Sequence, residues 1–538
     1  MEYAGGATAM RTAYAPAHRR RILCVSPRYA PSFGTFQHAY PLFGRRVRAF
    51  MPPQGLLVVA AYLPESWEVR VIDENARPAR ARDFAWADAV FVSGMHVQRP
   101  FIQDVIRRAH AAGRPVVLGG PSVSACPEDY PDADLIHVGE LGDATDRVIE
   151  SLDLHPGRPS TPLRFETTRR LPLTDFPIPA YHLVPLRRYF IASIQFSSGC
   201  PYTCEFCDIP ALYGRNPRLK TPEQVLAELD RIVAGGATSV YFVDDNFIGN
   251  QRAALDLLGH LVAWQRRHRY PLRFACEATL NLARNERALA LMREAGFVTV
   301  FCGIETPEPE ALRAIAKEQN LRLPVLEAVR RLNAYGLEVV SGIILGLDTD
   351  TPETPDRIVE FVRASQIPVL TINVLYALPK TPLWRRLERE GRIADGEGRE
   401  SNVVFRLPYE VVIGGWLRCI RAVYEPEAVF ARFAHTIAHT FPNRIAFPRN
   451  PHRASWRSVL MGLAILGRIL WRIGVRGRYR RTFWRFAWPL LRRGRLEELI
   501  HATVVSHHLI EFTRQCSAGA PESSFYAPAS RPRVAAAG

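Results

Sequence analysis

Short apolar runs alternate with helical patterns along the first part of the chain, from residue 21 to residue 152. The runs have the length of buried strands, and the segments between them, such as residues 54–63 and 101–112, repeat apolar residues at helical spacing. This alternation predicts a parallel, doubly wound, Rossmann-like α/β sheet, which binds ligands at the carboxyl ends of its strands. The predicted strands are residues 22–26, 69–75, 89–94, 115–120 and 135–140.

A second series of strand–helix units begins near residue 191 and predicts a partial (β/α)6 barrel. Its first helix starts after Thr221, which forms a capping box with Gln224. Beyond about residue 391 the strand period disappears, and helical patterns such as residues 411–422 and 427–439 remain. The predicted barrel strands are residues 191–197, 239–244, 272–278, 298–305, 337–345 and 368–377.

These patterns divide the chain into six parts. A proline-rich stretch predicts a linker between the sheet and the barrel, and the two ends of the chain have the composition of disordered tails. The predicted parts are a disordered amino terminus at 1–20, the sheet domain at 21–153, the linker at 154–190, the barrel at 191–392, a helical region at 393–516 and a disordered tail at 517–538.

Composition is that of a globular protein, since 47% of the residues are hydrophobic and 23% are charged. The formal net charge of +16 is concentrated in residues 453–495, which contain twelve Arg and no Asp, Glu or Lys. Arginines mixed with Trp456, Trp471, Trp484, Phe486 and Trp488 favour adsorption to anionic lipid headgroups. A helix docked on the barrel with a solvated basic face and an RNA-binding surface are the alternatives, and the pattern disfavours nucleic acid.

The chain shows no export signal, because the apolar run at residues 22–25 is shorter than a secretory core of about 7–15 residues. The longest apolar stretch, from residue 459 to 471, is interrupted by Arg468 and is too short for the roughly 18–20 residues of a membrane span. We therefore expect reduced cysteines and a cytoplasmic protein, with peripheral contact to the inner face of the cytoplasmic membrane.

Three cysteines stand close together as Cys200-x3-Cys204-x2-Cys207. Three thiolates within eight residues can surround one metal centre. A structural zinc site uses four ligands, and the histidines His182 and His260 are both distant in sequence, so the spacing disfavours zinc. An iron–sulfur cluster held by three cysteines leaves one iron open, which suits catalysis. The spacing predicts such a cluster.

The cysteine motif, with an aromatic residue before its last cysteine, resembles the signature of the radical S-adenosylmethionine (SAM) enzymes. The segments at residues 243–246, 303–306 and 342–346 are similar to later strand motifs of that superfamily. Segments 52–56, 119–121 and 139–140 are similar to the cobalamin-binding domain of its cobalamin-dependent class. The resemblance covers about residues 20–390, and the whole chain is most similar to the bacterial hopanoid carbon-2 methylases.

The resemblance implies a role for individual residues. Cys200, Cys204 and Cys207 would hold a [4Fe–4S] cluster and act in catalysis, and the open iron would bind SAM. The implied SAM contacts are Phe206, Asp244, Asp245, Asn246, Glu277, Glu305 and Gly342. The implied cobalamin contacts are Gln54, Ser93, Gly94, Gly119, Gly120, Gly139 and Glu140.

Some of these residues have a second interpretation. A core aromatic is the alternative interpretation of Phe206, and a solvated turn is the alternative for one of the two aspartates. Glu277 and Glu305 end strands inside the barrel, where an unpaired carboxylate is costly to bury, so each either contacts a ligand or forms a structural ion pair.

The chain departs from the cobalamin-protein pattern at two places. It lacks the D-x-H-x-x-G motif that supplies a histidine to cobalt, and His96, after Gly94-Met95, does not have that spacing. The cobalamin is therefore expected without a histidine ligand from the protein. At the end of the last predicted strand of the sheet the chain reads Gly139-Glu140-Leu141-Gly142, where the family commonly has G-E-G-E. The match supports a role for Glu140 but not for the residues that follow it.

The resemblance implies a methyltransferase that adds a methyl group to an unactivated ring carbon, C-2, of a hopanoid lipid. SAM would supply a radical, methylcobalamin the methyl group, and a flavodoxin- or ferredoxin-type protein the electrons. The alternatives are a cobalamin-dependent cyclase or methylase of another substrate such as a tetrapyrrole, and a non-catalytic cobalamin or redox sensor. Methylthiolation of transfer RNA would need a second cluster in the first domain, which offers only Cys24 and Cys126.

Overall fold

The structure is a computed structural model that describes residues 12, 14–44, 46–155, 157–394, 399–446 and 456–519, and the side chains of residues 456–458 are not described. The predicted tails at 1–20 and 517–538 lie mostly outside the described residues. Of the first tail, Ala17 and His18 donate backbone hydrogen bonds to Asp153, at 2.7 and 2.9 Å.

The first domain is a six-stranded, all-parallel sheet in the order β2-β1-β3-β4-β5-β6. Helices cover both faces of the sheet. Alternate residues of the buried strands therefore pack into two separate apolar clusters, with Leu23 on one face and Ile22 on the other. This confirms the doubly wound sheet. Its strands are β1 (Arg21–Ser26), β2 (Glu68–Asp73), β3 (Ala89–Ser93), β4 (Val116–Gly119), β5 (Leu135–Val138) and β6 (Leu163–Glu166). Its helices are α1 (Gln54–Tyr62), α2 (Ala81–Trp86), α3 (Arg99–Ala111), α4 (Pro121–Ala125) and α5 (Asp143–Leu154).

Strand β6 lies within the segment predicted as a linker. It pairs in parallel with β5, from Leu135↔Leu163 to Val138↔Glu166. The apolar pattern does not reveal it, because β6 is at the edge of the sheet and three of its four side chains are exposed. The sheet domain therefore extends to residue 166 in space.

The second domain is an open barrel of six parallel strands in the order β14-β13-β12-β11-β10-β7, which confirms the partial (β/α)6 barrel. A short antiparallel pair, β8 with β9, encloses the cysteine loop at residues 199–217. The strands are β7 (Ala192–Ile194), β8 (Ser197–Ser198), β9 (Arg218–Leu219), β10 (Ser239–Phe242), β11 (Arg273–Ala278), β12 (Phe297–Glu305), β13 (Glu338–Leu345) and β14 (Val369–Val374). The helices are α6 (Ile209–Leu212), α7 (Pro222–Ala234), α8 (Gln251–Arg267), α9 (Glu286–Ala295), α10 (Pro309–Ala314), α11 (Val325–Ala334), α12 (Thr354–Ser365) and α13 (Pro382–Arg389).

The last third is helical, as predicted, and packs on the barrel. Trp416 donates from its indole nitrogen to the Ile372 carbonyl at 2.8 Å, and so ties this region to β14. The helices are α14 (Tyr409–Val423), α15 (Pro426–His439), α16 (Trp456–Ile469), α17 (Arg480–Arg492) and α18 (Leu496–Ser517), with a π-helical segment at Leu470–Val475. Within the described ranges, no helix has both the length and the apolar content that crossing a bilayer requires.

A buried polar network joins the sheet domain to the barrel. Lys220 and Glu228 form an ion pair whose side chains are 0% and 2% exposed. The hydroxyl of Tyr181 donates to the Ser193 carbonyl at 2.8 Å and lies 3.4 Å from the Glu228 carboxylate. Ser193 in turn donates to the Gln54 amide oxygen at 2.9 Å. The start of α1 is thereby fixed against the first barrel strand.

Candidate functional site

The three cysteines of the predicted cluster lie on one loop after β8. The loop begins at Gly199, whose φ of 99° is left-handed and whose Cβ, if present, would be 2.8 Å from the Gly214 carbonyl oxygen. Cys200, Cys204 and Cys207 are free thiols, and Cys207 interacts electrostatically with the other two. Burial raises the pKa of Cys200 and Cys207, so bound iron would have to provide the positive charge that keeps these thiolates in the interior.

The chemistry of the cysteine loop suits an iron–sulfur cluster. Its three thiols are the side chains that would hold such a cluster, and three cysteines leave one iron open for a ligand. Among the described residues, no three His, Cys, Asp or Glu side chains converge closely enough to hold one metal ion.

Two aspartates after β10 hold the backbone that leads into the cysteine loop. The buried Asp244 carboxylate accepts hydrogen bonds from the amides of Phe196, at 3.0 Å, and Ser197. Asp245 accepts from the Gly199 amide at 2.7 Å. Burial raises the pKa of Asp244 to about 7 and that of Asp245 to about 6. Both aspartates thus position the loop through its backbone.

Orphaned polar atoms mark the same place. Asn246 is 1% exposed, and neither of its amide atoms has a hydrogen-bond partner. The second carboxylate oxygen of Asp244 is also buried without a partner. Buried polar groups are nearly always hydrogen-bonded, so these atoms fit a polar ligand such as the methionine end of SAM.

Glu277 ends β11 inside the barrel. The Tyr241 hydroxyl donates to its carboxylate at 3.3 Å. Burial raises the pKa of Glu277 to about 7, and the negative charge of Asp245 adds to this effect. No ion pair involves Glu277 in the part of the chain that the structure describes, which leaves the carboxylate able to accept from a ligand.

Glu305, by contrast, has a partner. Its carboxylate forms a buried ion pair with Lys317, a residue that the sequence analysis did not single out. Glu305 has a left-handed φ of 66°, and a Cβ on Gly303 would lie 2.7 Å from the Lys317 ammonium, so only glycine leaves room for the pair. A Cβ on Gly342 would be 3.5 Å from the Glu305 carboxylate. The ion-pair alternative holds for Glu305, and its contact with SAM stays a prediction.

Phe206 is half-buried beside this pair. The Lys317 ammonium lies 5.4 Å from the centre of its ring. The ring also lines a cavity of about 260 Å³ together with Leu347, Leu375 and Leu383. Phe206 therefore packs against an apolar cluster and also lines a cavity. This is compatible with a core aromatic and with a contact to SAM.

The glycines of the sheet domain form one edge. The carboxyl ends of β3 and β4 bring Ser93 and Gly94 beside Gly119 and Gly120. Gly120 has a φ of 94°, and a Cβ there would collide with the Ser93 hydroxyl. A Cβ on Gly119 would be 3.7 Å from His137. Because these glycines have no side chains, a large planar ligand could approach the backbone of this edge closely.

Glu140 faces the barrel. Gly139, with a φ of 104°, donates from its amide to Ser124 at 2.9 Å and turns the chain. The Glu140 carboxylate then accepts from Arg218 of β9 at 2.6 and 2.8 Å and lies 3.1 Å from Arg170. Glu140 thus connects the glycine edge of the sheet with the border of the cysteine loop, and its role as a cobalamin contact stays a prediction.

His96 also lies at this edge. Its Nδ1 is buried without a hydrogen-bond partner, and burial lowers the pKa of the imidazole, which is therefore neutral at pH 7. The ring is 6.4 Å from that of Tyr376, which follows β14. The Gln54 side chain accepts from Ser193, as described above, and its amide nitrogen also donates to the Tyr181 hydroxyl at 3.3 Å.

The predicted residues thus collect at two facing edges. The cysteines, Asp244, Asp245, Asn246, Glu277, Glu305 and Gly342 lie at the carboxyl ends of the barrel strands, and the predicted residues of the sheet lie at its carboxyl edge. Sequence reasoning missed Lys317, Gln319, Arg170 and Arg218. Nothing in the local sequence distinguishes them, because their significance comes only from their neighbours in space.

Comparison with known proteins agrees with this architecture. Residues 42–149 match the B12 binding domain, residues 194–362 the Radical SAM superfamily, and residues 381–521 a domain of unknown function, DUF4070. The fold is similar to that of the cobalamin-dependent S-adenosylmethionine radical enzyme OxsB, solved with aqua-cobalamin and S-adenosylmethionine bound. The TM-score is 0.58 and the identity 14%, over 93% of this chain and 80% of that one.

Two curated proteins match along nearly their whole length. The Hopanoid C-2 methylase of Rhodopseudomonas palustris strain TIE-1 is 58% identical over 94% of this chain and 96% of its own. The Uncharacterized methyltransferase sll1242 of Synechocystis sp. is 35% identical over 91% of this chain and 92% of its own. The chain therefore belongs to the family of B12-binding radical SAM methyltransferases that includes the Hopanoid C-2 methylase.

Proposed function

We propose that this protein methylates ring carbon C-2 of a hopanoid lipid. The observation that carries the proposal is the similarity to the Hopanoid C-2 methylase over nearly the whole of both chains, the helical last third included. The facing edges of the sheet and the barrel support it, because they bring the predicted contacts of both cofactors together, and Glu140 and Arg218 connect the two edges.

The residues on the two edges have distinct tasks. Bound SAM and cobalamin supply the radical and the methyl group, respectively. Cys200, Cys204 and Cys207 would hold the cluster, and Asn246, whose amide has no partner, would offer it to SAM. The contact between Glu140 and Arg218 fixes the spacing of the two edges, which matters because radical chemistry depends on how closely the reacting atoms are held.

Product analysis tests the proposal. The full chain, reconstituted anaerobically with iron, sulfide and cobalamin, is given SAM, reductant and diploptene in vesicles. We expect a hopanoid methylated at C-2, with 5′-deoxyadenosine and S-adenosylhomocysteine in matching amounts. Methylation of a tetrapyrrole but not of diploptene would favour the other substrate class. A chain that binds both cofactors but forms no 5′-deoxyadenosine would favour a sensor.

We further propose that the protein takes this lipid from an anionic membrane surface. One face of residues 459–492 packs on the protein, with Ile469 and Phe483 fully buried. The opposite face, which we call the basic aromatic face, exposes large apolar side chains to solvent. Six of them are exposed by about half, namely Val459, Leu460, Leu463, Trp471, Val475 and Trp488. A docked helix and a binding surface are thus both compatible with this segment.

A groove on the basic aromatic face has the chemistry of a lipid headgroup site. Trp484 and Trp488 form an apolar wall of a depression that also includes Val475. The side chains of arginines 480, 481 and 485 line it as well. Arg485 interacts electrostatically with Glu427 and helps to lower the pKa of that carboxyl. Three arginine side chains beside the exposed Trp488 and the half-buried Trp484 suit anionic phosphate above an acyl chain.

Vesicle flotation tests this partner. Changing the three groove arginines to Gln is expected to weaken binding to vesicles of phosphatidylcholine and phosphatidylglycerol about hundredfold, at about 1 kcal/mol for each charge. Trp488→Ser should weaken it as well, whereas Leu154→Ser, at a similarly exposed site in the first domain, should not. Equal binding to pure phosphatidylcholine, or preferential binding to an RNA oligonucleotide, would contradict the proposal.

A further inference from the structure

A short segment behind the cysteine loop contains two polar side chains that interact with the thiols, one by a hydrogen bond and one by its charge. It follows α10, and the turn into it places Ala316 at a left-handed φ of 54°. The amide of Lys317 donates to the Leu312 carbonyl at 2.8 Å, and the Asn320 side chain donates to the Gly303 carbonyl at 3.0 Å. The segment is therefore pinned at both ends, and a strained residue lies between α10 and the side chains it presents.

The first of these side chains is the amide of Gln319. Gln319 is 5% exposed, and its Nε2 donates to Cys204 Sγ at 3.3 Å. Among the described residues, this is the one side-chain N–H that is hydrogen-bonded to a sulfur of the cysteine motif. Such a bond neither holds iron nor reaches SAM, so the function proposed above gives it no task.

The second is the ammonium of Lys317. It is almost completely buried, and it interacts electrostatically with the thiols of Cys200, Cys204 and Cys207. The paired carboxylate of Glu305 offsets its charge in part and holds it in place. A single buried cation is therefore shared by all three predicted cluster ligands.

We propose that Gln319 and Lys317 set the reduction potential of the iron–sulfur cluster. One-electron reduction adds a negative charge to the cluster and its sulfurs. An N–H donor to a ligand sulfur and a buried cation nearby both stabilise that charge, and hydrogen bonds to sulfur and local charge are the means by which proteins tune these clusters. Both residues raise the potential, which makes the cluster easier to reduce by its electron donor. The inference rests on the three cysteines holding the cluster.

A redox titration followed by electron paramagnetic resonance tests the inference on the full reconstituted chain without SAM. Gln319→Leu removes the donor with little change of shape, and we expect a more negative midpoint potential at an unchanged iron content. Gln319→Asn, which keeps the amide but shortens its reach, should give a shift in the same direction. The double variant Lys317→Met with Glu305→Gln removes the cation without leaving a buried charge, and it too should lower the potential.

Gln265→Leu is the matched control. Gln265 is a buried glutamine of the same barrel, and its amide donates to the carbonyls of Leu272 and Ala295 at the amino ends of the strands, away from the cysteines. Its midpoint potential should equal that of the unmodified protein. Equal potentials in all variants with a full iron content would overturn the inference, and so would an equal shift in the control.

The redox titration and the product analysis can fail independently of each other. Unchanged potentials together with hopanoid methylation would refute the inference alone. Lowered potentials in a protein that methylates no hopanoid would refute the proposed function and leave the inference standing.

Discussion

Cys204→Ala is expected to abolish both 5′-deoxyadenosine formation and methylation. Cys204 is the buried member of the three cysteines, and alanine offers no thiolate to hold iron. Two remaining cysteines cannot retain a cluster that has one open iron. Iron and sulfide content, the visible absorption of the reconstituted protein and the two products provide the measurement, and we expect each to fall to background.

The matched control is Cys419→Ala. Cys419 is likewise a buried, free cysteine, but it lies on α14 in the helical region. Its loss should leave the iron content unchanged. Retention of a full cluster by Cys204→Ala would show that the cysteine loop is not the cluster site, whereas loss of iron in both variants would indicate general instability.

Lys220→Met is expected to lower the free energy of unfolding by about 3–5 kcal/mol. The side chains of Lys220 and Glu228 are 0% and 2% exposed, and removing one partner of such a pair leaves an uncompensated buried charge. Burial already raises the pKa of Glu228, so without Lys220 this carboxyl takes up a proton more readily. The loss should be largest at high pH and should shrink on acidification, which denaturant unfolding at several pH values measures.

Two variants sharpen this measurement. Lys220→Met combined with Glu228→Gln removes both charges and should recover most of the lost stability. Arg331→Met breaks the exposed pair with Glu327, whose side chains are 45% and 43% exposed, and should cost less than about 0.5 kcal/mol. If Lys220→Met were no more costly than Arg331→Met, the buried pair would not stabilise the joint between the domains.

The sheet and the barrel could be predicted because buried parallel strands read as continuous apolar runs. The runs at residues 22–26 and 337–345 correspond within a residue to observed strands β1 and β13. Strand β6 could not be found in this way, because three of its four side chains are exposed at the edge of the sheet and backbone hydrogen bonds make its pairing.

Some residues of the candidate site could likewise be predicted from the sequence, and others could not. Cysteines at fixed spacing and acidic residues that follow strands are local patterns, and they can be recognised in the sequence. The partners of these residues are not local. Arg218 meets Glu140 across 78 positions, and Gln319 meets Cys204 across 115. The first contact depends on how the two domains pack, and the second on how the segment after α10 packs against the cysteine loop. Neither can be predicted from the spacing of residues in the sequence.

The shared network of Gln54, Ser193 and Tyr181 has a consequence for protein engineering. Exchanging the sheet domain of this chain for that of a relative is attractive as a way to combine specificities. A fusion cut in the segment between the domains would separate Gln54 from Ser193, and an unmatched graft would bury polar atoms without partners. A chimera therefore has to carry the start of α1, Tyr181 and strand β7 as one transplanted unit, although they are far apart in sequence.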